Sequence, residues 1–218
     1  MKKAKKKEKM AMVKFLNKMW VKFVTWFGCI KVFKFPLFIV YDPSEYEMDG
    51  KHIYDALNIV KPGDIVLRGF NNYADGYFVD DPHGYSHGSV YVGDSTIIHA
   101  VAKGVSEIHV VDFMKCDRIC IIRPKRGQEE AIKLAHKFVE DNIPYDFYFK
   151  NNCSALYCFE LCAKCYPDLD IKRIEFKKFF GLLKRKAYLA DSLRKSPDME
   201  IVFECNPKYD VDFKHSSV

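Results

Sequence analysis

Residues 85–100 read YSHGSVYVGDSTIIHA. Two β-rich runs, Ser86 to Val92 and Thr96 to Val101, flank the turn Gly93-Asp94-Ser95, which predicts a β-hairpin. His87 and His99 are twelve residues apart, an even separation, so in register they share one face of the sheet. They are also equidistant from Gly93. A turn centred there sets the two imidazoles opposite each other, with Cβ atoms roughly 4.5–5.5 Å apart. One imidazole can then hold a ring nitrogen of the other and fix its tautomer. A bulge would spoil that pairing.

Outward from the hairpin, Lys61-Pro62-Gly63-Asp64 is a turn leading into a strand over 65–68. A loop rich in Asn, Gly and Asp follows through Gly84. Residues 105–111 and 118–123 are two more strands. Gln128 to Asn142 is a helix with Ala131, Leu134, Ala135, Phe138 and Val139 on its apolar face, and Pro144-Tyr145-Asp146 ends it. A second helix runs from near Leu156 to before Pro167. Two short basic helices are expected around 175–183 and 187–195, then a closing strand over 199–204. The order predicts an α+β fold with an antiparallel sheet rather than alternating βαβ units.

Cys158 falls in the first turn of the second helix. Helix N-termini carry unpaired N–H groups and partial positive charge, and both lower a thiol pKa. A thiol there, with a histidine pair on a neighbouring sheet, supplies nucleophile, base and orienting group. The N–H groups of the same turn can hold an oxyanion.

KPGDIVL (61–67), YSHGSVYVG (85–93), IIHA (97–100), PYDFYF (144–149) and LYCFELC (156–162) together resemble the circularly permuted papain-like enzymes of the NlpC superfamily. The nearest likeness is to the YiiX-like amidase group, with poxviral and lecithin:retinol acyltransferase-type enzymes as relatives. The likeness runs from about Lys61 to Tyr166, in the permuted order with His before Cys. It implies a permuted papain-like fold in which a small antiparallel sheet packs on the helix carrying the nucleophile. It also implies Cys158 as nucleophile, His87 as general base and His99 as the residue that orients it. Asp64 then matches the acid of the turn, as a structural residue, and Glu160 matches a supporting acid two residues after the nucleophile. Tyr145 shapes the chain before the nucleophile loop and lines the cleft. Phe159 departs from the usual Cys-Ser-Glu, which narrows the pocket or removes a hydroxyl contact.

The expected activity is that of a cysteine amidase or peptidase acting on an amide or ester carbonyl, such as a cell-wall peptide or a lipid acyl or amide bond. Alternatives are a thiol acyltransferase using the same groups, and a non-catalytic membrane-surface adaptor on the same fold. No cofactor is expected. A zinc site built from Cys153, Cys158, Cys162 and Cys165 is disfavoured, because all four crowd one helix rather than two separated knuckles. Cys162 and Cys165 are assigned to the core.

The chain has 218 residues, enough for one domain plus an appendage. Its apolar share of 49% excludes wholesale disorder. There is no repeat, no GxGxxG and no phosphate-cradling GxxxxGK[ST]. The net charge of +6 divides unevenly, since residues 1–34 hold eleven lysines against one acid, Glu8. The body is therefore acidic, and no nucleic-acid partner is expected. Residues 1–40 are assigned to a basic amphipathic arm and 41–218 to the catalytic domain. Over 12–24, Lys14, Asn17, Lys18 and Lys22 fall on one side of a helix, with Phe15, Leu16, Met19, Trp20 and Phe23 largely on the other. That pattern suits either an anionic membrane surface or packing on the arm's own domain. Lysines interrupt every apolar run, so neither a cleavable signal nor a spanning helix is expected. The eight cysteines are expected to be reduced, and the chain to sit on the cytoplasmic side, peripheral to a membrane or free of it.

Overall fold

The computed structural model describes residue 12 and residues 14–23, 31–34, 37–40, 46–71, 84–149, 154–178 and 183–207. Helix α1 is described at residue 12 and over residues 14–23. A small hairpin follows, β1 (Lys31–Lys34) with β2 (Leu37–Val40). Helix α2 (Gly50–Ile59) is capped by Asp49, whose carboxylate accepts from the amides of Lys51 and His52. Next come β3 (Ile65–Gly69), β4 (His87–Gly93), β5 (Thr96–Val101), β6 (Gly104–His109), the single turn α3 (Val110–Phe113), and β7 (Arg118–Pro124). Then follow α4 (Gln128–Glu140), α5 (Cys158–Cys165), β8 (Ile174–Lys178), β9 (Leu183–Ala187), α6 (Ala190–Arg194) and β10 (Met199–Cys205).

Six strands form one sheet in the order β10-β7-β3-β4-β5-β6, with every neighbouring pair antiparallel. The fold is α+β, as expected. The strands are apolar on both faces because both are covered. Ile65, Leu67, Val90, Ile98 and Cys120 face α4 and α5. Val66, Ile97, Ile119 and Ile121 face a second cluster that takes in Ala56 of α2 and Phe113 of α3. This two-sided burial is the period-two alternation of a sheet sandwiched between layers.

Three expectations are corrected. Where a helix was expected around 175–183, Ile174–Lys178 and Leu183–Ala187 pair as antiparallel strands β8 and β9, with Ile174 opposite Ala187 and Lys178 opposite Leu183. The strand after Gly104 stops at His109, where the chain turns into α3. The hairpin register also differs. Asp94 and Ser95, both with positive φ, make the two-residue turn, and the register shifts between Tyr91 and Gly93. Ser89, not His87, therefore stands opposite His99.

That shift has a consequence for the face each histidine occupies. A two-residue turn at 94–95 with unbroken pairing would put His99 opposite Val90, on the other face from His87. The extra residue at position 92 restores the parity. His87 and His99 share a face as diagonal neighbours, still within reach of long side chains.

Candidate active site

The two imidazoles meet edge to face, with ring centroids 5.3 Å apart and His87 Nε2 3.2 Å from His99 Nδ1. Phe113 of α3 packs on both rings, at 5.6 and 5.9 Å. On β3, Arg68 is the direct cross-strand partner of His87. Its guanidinium lies 4.4 Å from the centroid of Phe113, and Nη1 donates to the Phe113 carbonyl at 3.1 Å. Burial, then the Arg68 charge, pull His87 well below the ordinary imidazole range, with His99 adding to the effect. The same two leading causes bring His99 down to about 4. Both rings are neutral at neutral pH.

Cys158 opens α5, after the N-cap Tyr157, which makes no side-chain capping bond. The first-turn amides are thus left for another acceptor. Helix α5 packs against β4, and Gly88 permits the approach: a Cβ there would lie 2.9 Å from Phe159 Cδ1 and 3.2 Å from Cys162 Sγ. The smallness of Gly88 makes room for the helix.

The Cys158 thiol rests against the backbone on either side of His87. Sγ is 4.0 Å from the Ser86 carbonyl. The amides of Gly88, Phe159 and Cys158 itself and the Tyr145 hydroxyl lie near enough to favour the thiolate. The expected lowering of its pKa is overturned. Burial outweighs these donors and pushes the thiol up to about 11. Cys158 and the histidines approach the start of β4 from different sides, the thiol with the α5 layer and the imidazoles with the Phe113 layer. No hydrogen bond joins the His87 ring to Sγ in this arrangement.

Tyr145 is held by bridge pairing with Leu156, through Leu156 N to the Pro144 carbonyl at 2.9 Å and Asp146 N to the Leu156 carbonyl at 3.2 Å. Burial, then the neighbouring Cys158, keep its phenol protonated far above the usual range. It can only donate. Its ring packs edge to face on Phe147 at 4.8 Å.

The other two candidates lie outside this cluster. Asp64 is buried at the opposite end of β3, where its backbone carbonyl accepts from Tyr91 N. Its carboxylate takes Arg123 Nε at 2.9 Å, Arg123 Nη2 at 2.7 Å and the Lys61 amide at 2.8 Å. Glu160 is 1% exposed in the first turn of α5, and neither carboxylate oxygen has a hydrogen bond of normal geometry. Burial raises it to about 7, with Lys164 and Arg173 pulling down and Asp146 pushing up. Cys162 and Cys165 are buried in the core. Cys153 lies outside the described residues, and among those described no group of three or more His, Cys, Asp or Glu is arranged to hold a metal ion.

A family model of permuted papain-like amidases matches residues 59–203. The chain belongs to this family, the YaeF/YiiX or C92 amidases. No curated protein and no solved structure matches it. Membership makes the fold a permuted papain-like one and the activity of a papain-like amidase or peptidase kind. The matched span contains the histidine pair, Tyr145 and Cys158, and it stops short of α1. Among the described residues no helix is long and apolar enough to cross a membrane.

Arg68 and Phe113 were missed from the sequence. The strand ending in Ile-Val-Leu-Arg was visible, but the pairing that sets Arg68 beside His87 depends on register. Phe113 reaches the pair through α3, too short to leave a periodic signal.

Proposed function

We propose that the protein is a cysteine hydrolase in which Cys158 attacks an amide or ester carbonyl, with His87 as base and His99 orienting it. The observation that carries this reading is the place of Cys158 at the start of α5, its sulfur 4.0 Å from the Ser86 carbonyl, directly beside the backbone of His87. The amides of that first turn have no side-chain cap and suit a thiolate, or the oxyanion that forms next to it.

The chemistry follows from protonation states. A neutral thiol and a neutral imidazole start the reaction, so His87 removes the proton as attack proceeds rather than beforehand. Bonded to His99 through Nε2, His87 has Nδ1 left for this task. If Nε2–H donates to His99 Nδ1, the tautomer is the one a base needs. The thiol-to-imidazole hydrogen bond forms when substrate displaces Sγ from the Ser86 carbonyl, since catalytic contacts are commonly long in a free enzyme.

Sγ bonds to the carbonyl carbon while the oxygen takes up negative charge, held by the Phe159 and Cys158 amides and the Tyr145 hydroxyl. Collapse expels the amine or alcohol, which leaves with the proton from His87. Water then attacks the thioester, His87 takes its proton, and the acid and free thiol are released. Glu160 and Asp64 support this from a distance, Asp64 by anchoring β3 to β7.

The test is turnover of a small panel of p-nitrophenyl esters and peptide p-nitroanilides by the full chain and by Cys158→Ala. Complete loss in the variant, with unchanged thermal melting, is expected. Retained turnover would remove Cys158 from the reaction.

A further inference from the structure

Among the described residues, helix α1 is where large apolar side chains collect on the surface. Of the nine large apolar residues exposed among those described, six belong to it: Met12, Phe15, Leu16, Met19, Trp20 and Phe23. Their exposures run from 41% at Trp20 to 62% at Phe15. At 100° per residue these six fall within one half of the helix circumference. Lys14, Lys18 and Lys22, all exposed, occupy the other side. The sequence left two partners open for this helix, its own domain or a membrane surface. With exposures of 41% or more, this face is left largely open by the described residues of the body.

Charge identifies the partner. Eleven lysines and one acid stand in residues 1–34, a net +10 in a chain whose total is +6. The partner must therefore be anionic and must also accept a broad apolar face with three large aromatics, Phe15, Trp20 and Phe23. A nucleic acid meets the first requirement and leaves Phe15, Leu16 and Met19 in water. A second copy meets the second and sets two +10 arms side by side. An anionic lipid surface meets both, with phosphate and carboxylate headgroups for the lysines and acyl chains for the rings.

We propose that helix α1 lies in the plane of an anionic phospholipid surface, apolar face down, and holds the hydrolase domain against it. Among the described residues no helix is long and apolar enough to cross a membrane, so the proposed contact is an interfacial one. This does not depend on the catalytic reading, because no residue of α1 belongs to the site.

The experiment uses the full chain and two vesicle types, phosphatidylcholine alone and phosphatidylcholine mixed with phosphatidylserine. Co-sedimentation is measured together with tryptophan emission. The only tryptophans, Trp20 and Trp26, both lie in the arm, so emission reports the arm alone. The expected result is sedimentation and a blue shift with the mixed vesicles, much weaker with phosphatidylcholine alone, and reduced by high salt. Phe15→Glu with Trp20→Glu should lower partitioning by about tenfold or more. Both positions are exposed, so the variant should keep wild-type melting. Cys158→Ala should bind vesicles like the wild type, which separates this test from the catalytic one. No sedimentation with the mixed vesicles, or sedimentation untouched by the double substitution, would overturn the proposal.

Discussion

His87 Nε2 stands 3.2 Å from His99 Nδ1, across a diagonal of the β4–β5 ladder rather than directly opposite. In the proposed mechanism this contact leaves one nitrogen of His87 for the thiol and uses the other for orientation. General-base catalysis contributes about 10²–10⁴-fold, so His87→Ala should lower kcat/KM by that order. His99→Ala should cost less, because the base remains. His99→Asn should recover part of the loss, since an amide can still hold Nε2. Steady-state rates on one ester substrate check the order.

The neutrality of the pair predicts a pH profile. Burial and Arg68 depress both imidazoles, so the acid limb of kcat/KM lies well below the ordinary histidine value of ~6.5. Arg68→Met removes a positive charge and raises both pKa values, moving that limb to higher pH. Lys at the same position keeps the charge and should move it less. Among the described residues, the charged or titratable groups acting on the pair are Arg68 from β3 and the imidazoles themselves. Asp112 of α3 is bound by Lys115 at 2.6 Å. A purely structural Arg68 would lower the rate at every pH without moving the limb.

The same shifts bear on stability. A histidine depressed on folding contributes stability that is present above ~6.5 and lost as pH falls toward the folded value, because the unfolded chain binds the proton first. Thermal midpoints should therefore fall between about pH 6 and pH 4, and His99→Gln should flatten that part of the curve. An unchanged slope in the variant would mean that other groups control acid unfolding.

The hairpin, strands β3, β7 and β10, and helix α4 were legible because alternation and turn residues mark them without ambiguity. Cys158 was legible through its position at a helix start. Three things were not. Helix α2 has only about three turns, and its Asp49 cap looks like any other loop acid. The Lys- and Arg-rich run 175–187 has helix-forming residues, yet pairing Ile174 with Ala187 decided for paired strands. The thiol pKa depended on how deeply α5 is buried, which a local word such as LYCFELC does not carry. Register was the subtler miss: the turn at 94–95 would set His99 opposite Val90, and one extra residue at 92 moves it to opposite Ser89, not His87.

Gly88 separates β4 from α5 by the smallest possible side chain. Gly88→Ala would bring a Cβ to 2.9 Å from Phe159 Cδ1, a contact with an aromatic ring that has little room to yield. Overpacking of this kind costs about 1–3 kcal/mol. The variant should melt lower and lose activity, because the helix start carrying Cys158 must shift. Adding Phe159→Leu should restore part of the stability, read from denaturant midpoints.

Asp64 anchors the sheet, so its effect should fall on stability and spare the chemistry. Asp64→Ala leaves Arg123 unpaired against a buried turn and should cost about 3 kcal/mol. Where the variant is folded, kcat should stay near wild type. A kcat loss as large as that of His87→Ala would place Asp64 in the reaction instead.

The central claim is that Cys158 forms a covalent acyl intermediate, assisted by His87. The most direct measurement mixes the enzyme with p-nitrophenyl butyrate, quenches in acid, and maps the adduct by mass spectrometry. The account predicts one butyryl group per chain, on Cys158, with slower formation in His87→Ala and none in Cys158→Ala. An adduct spread over other cysteines, or formed equally fast without His87, would contradict it.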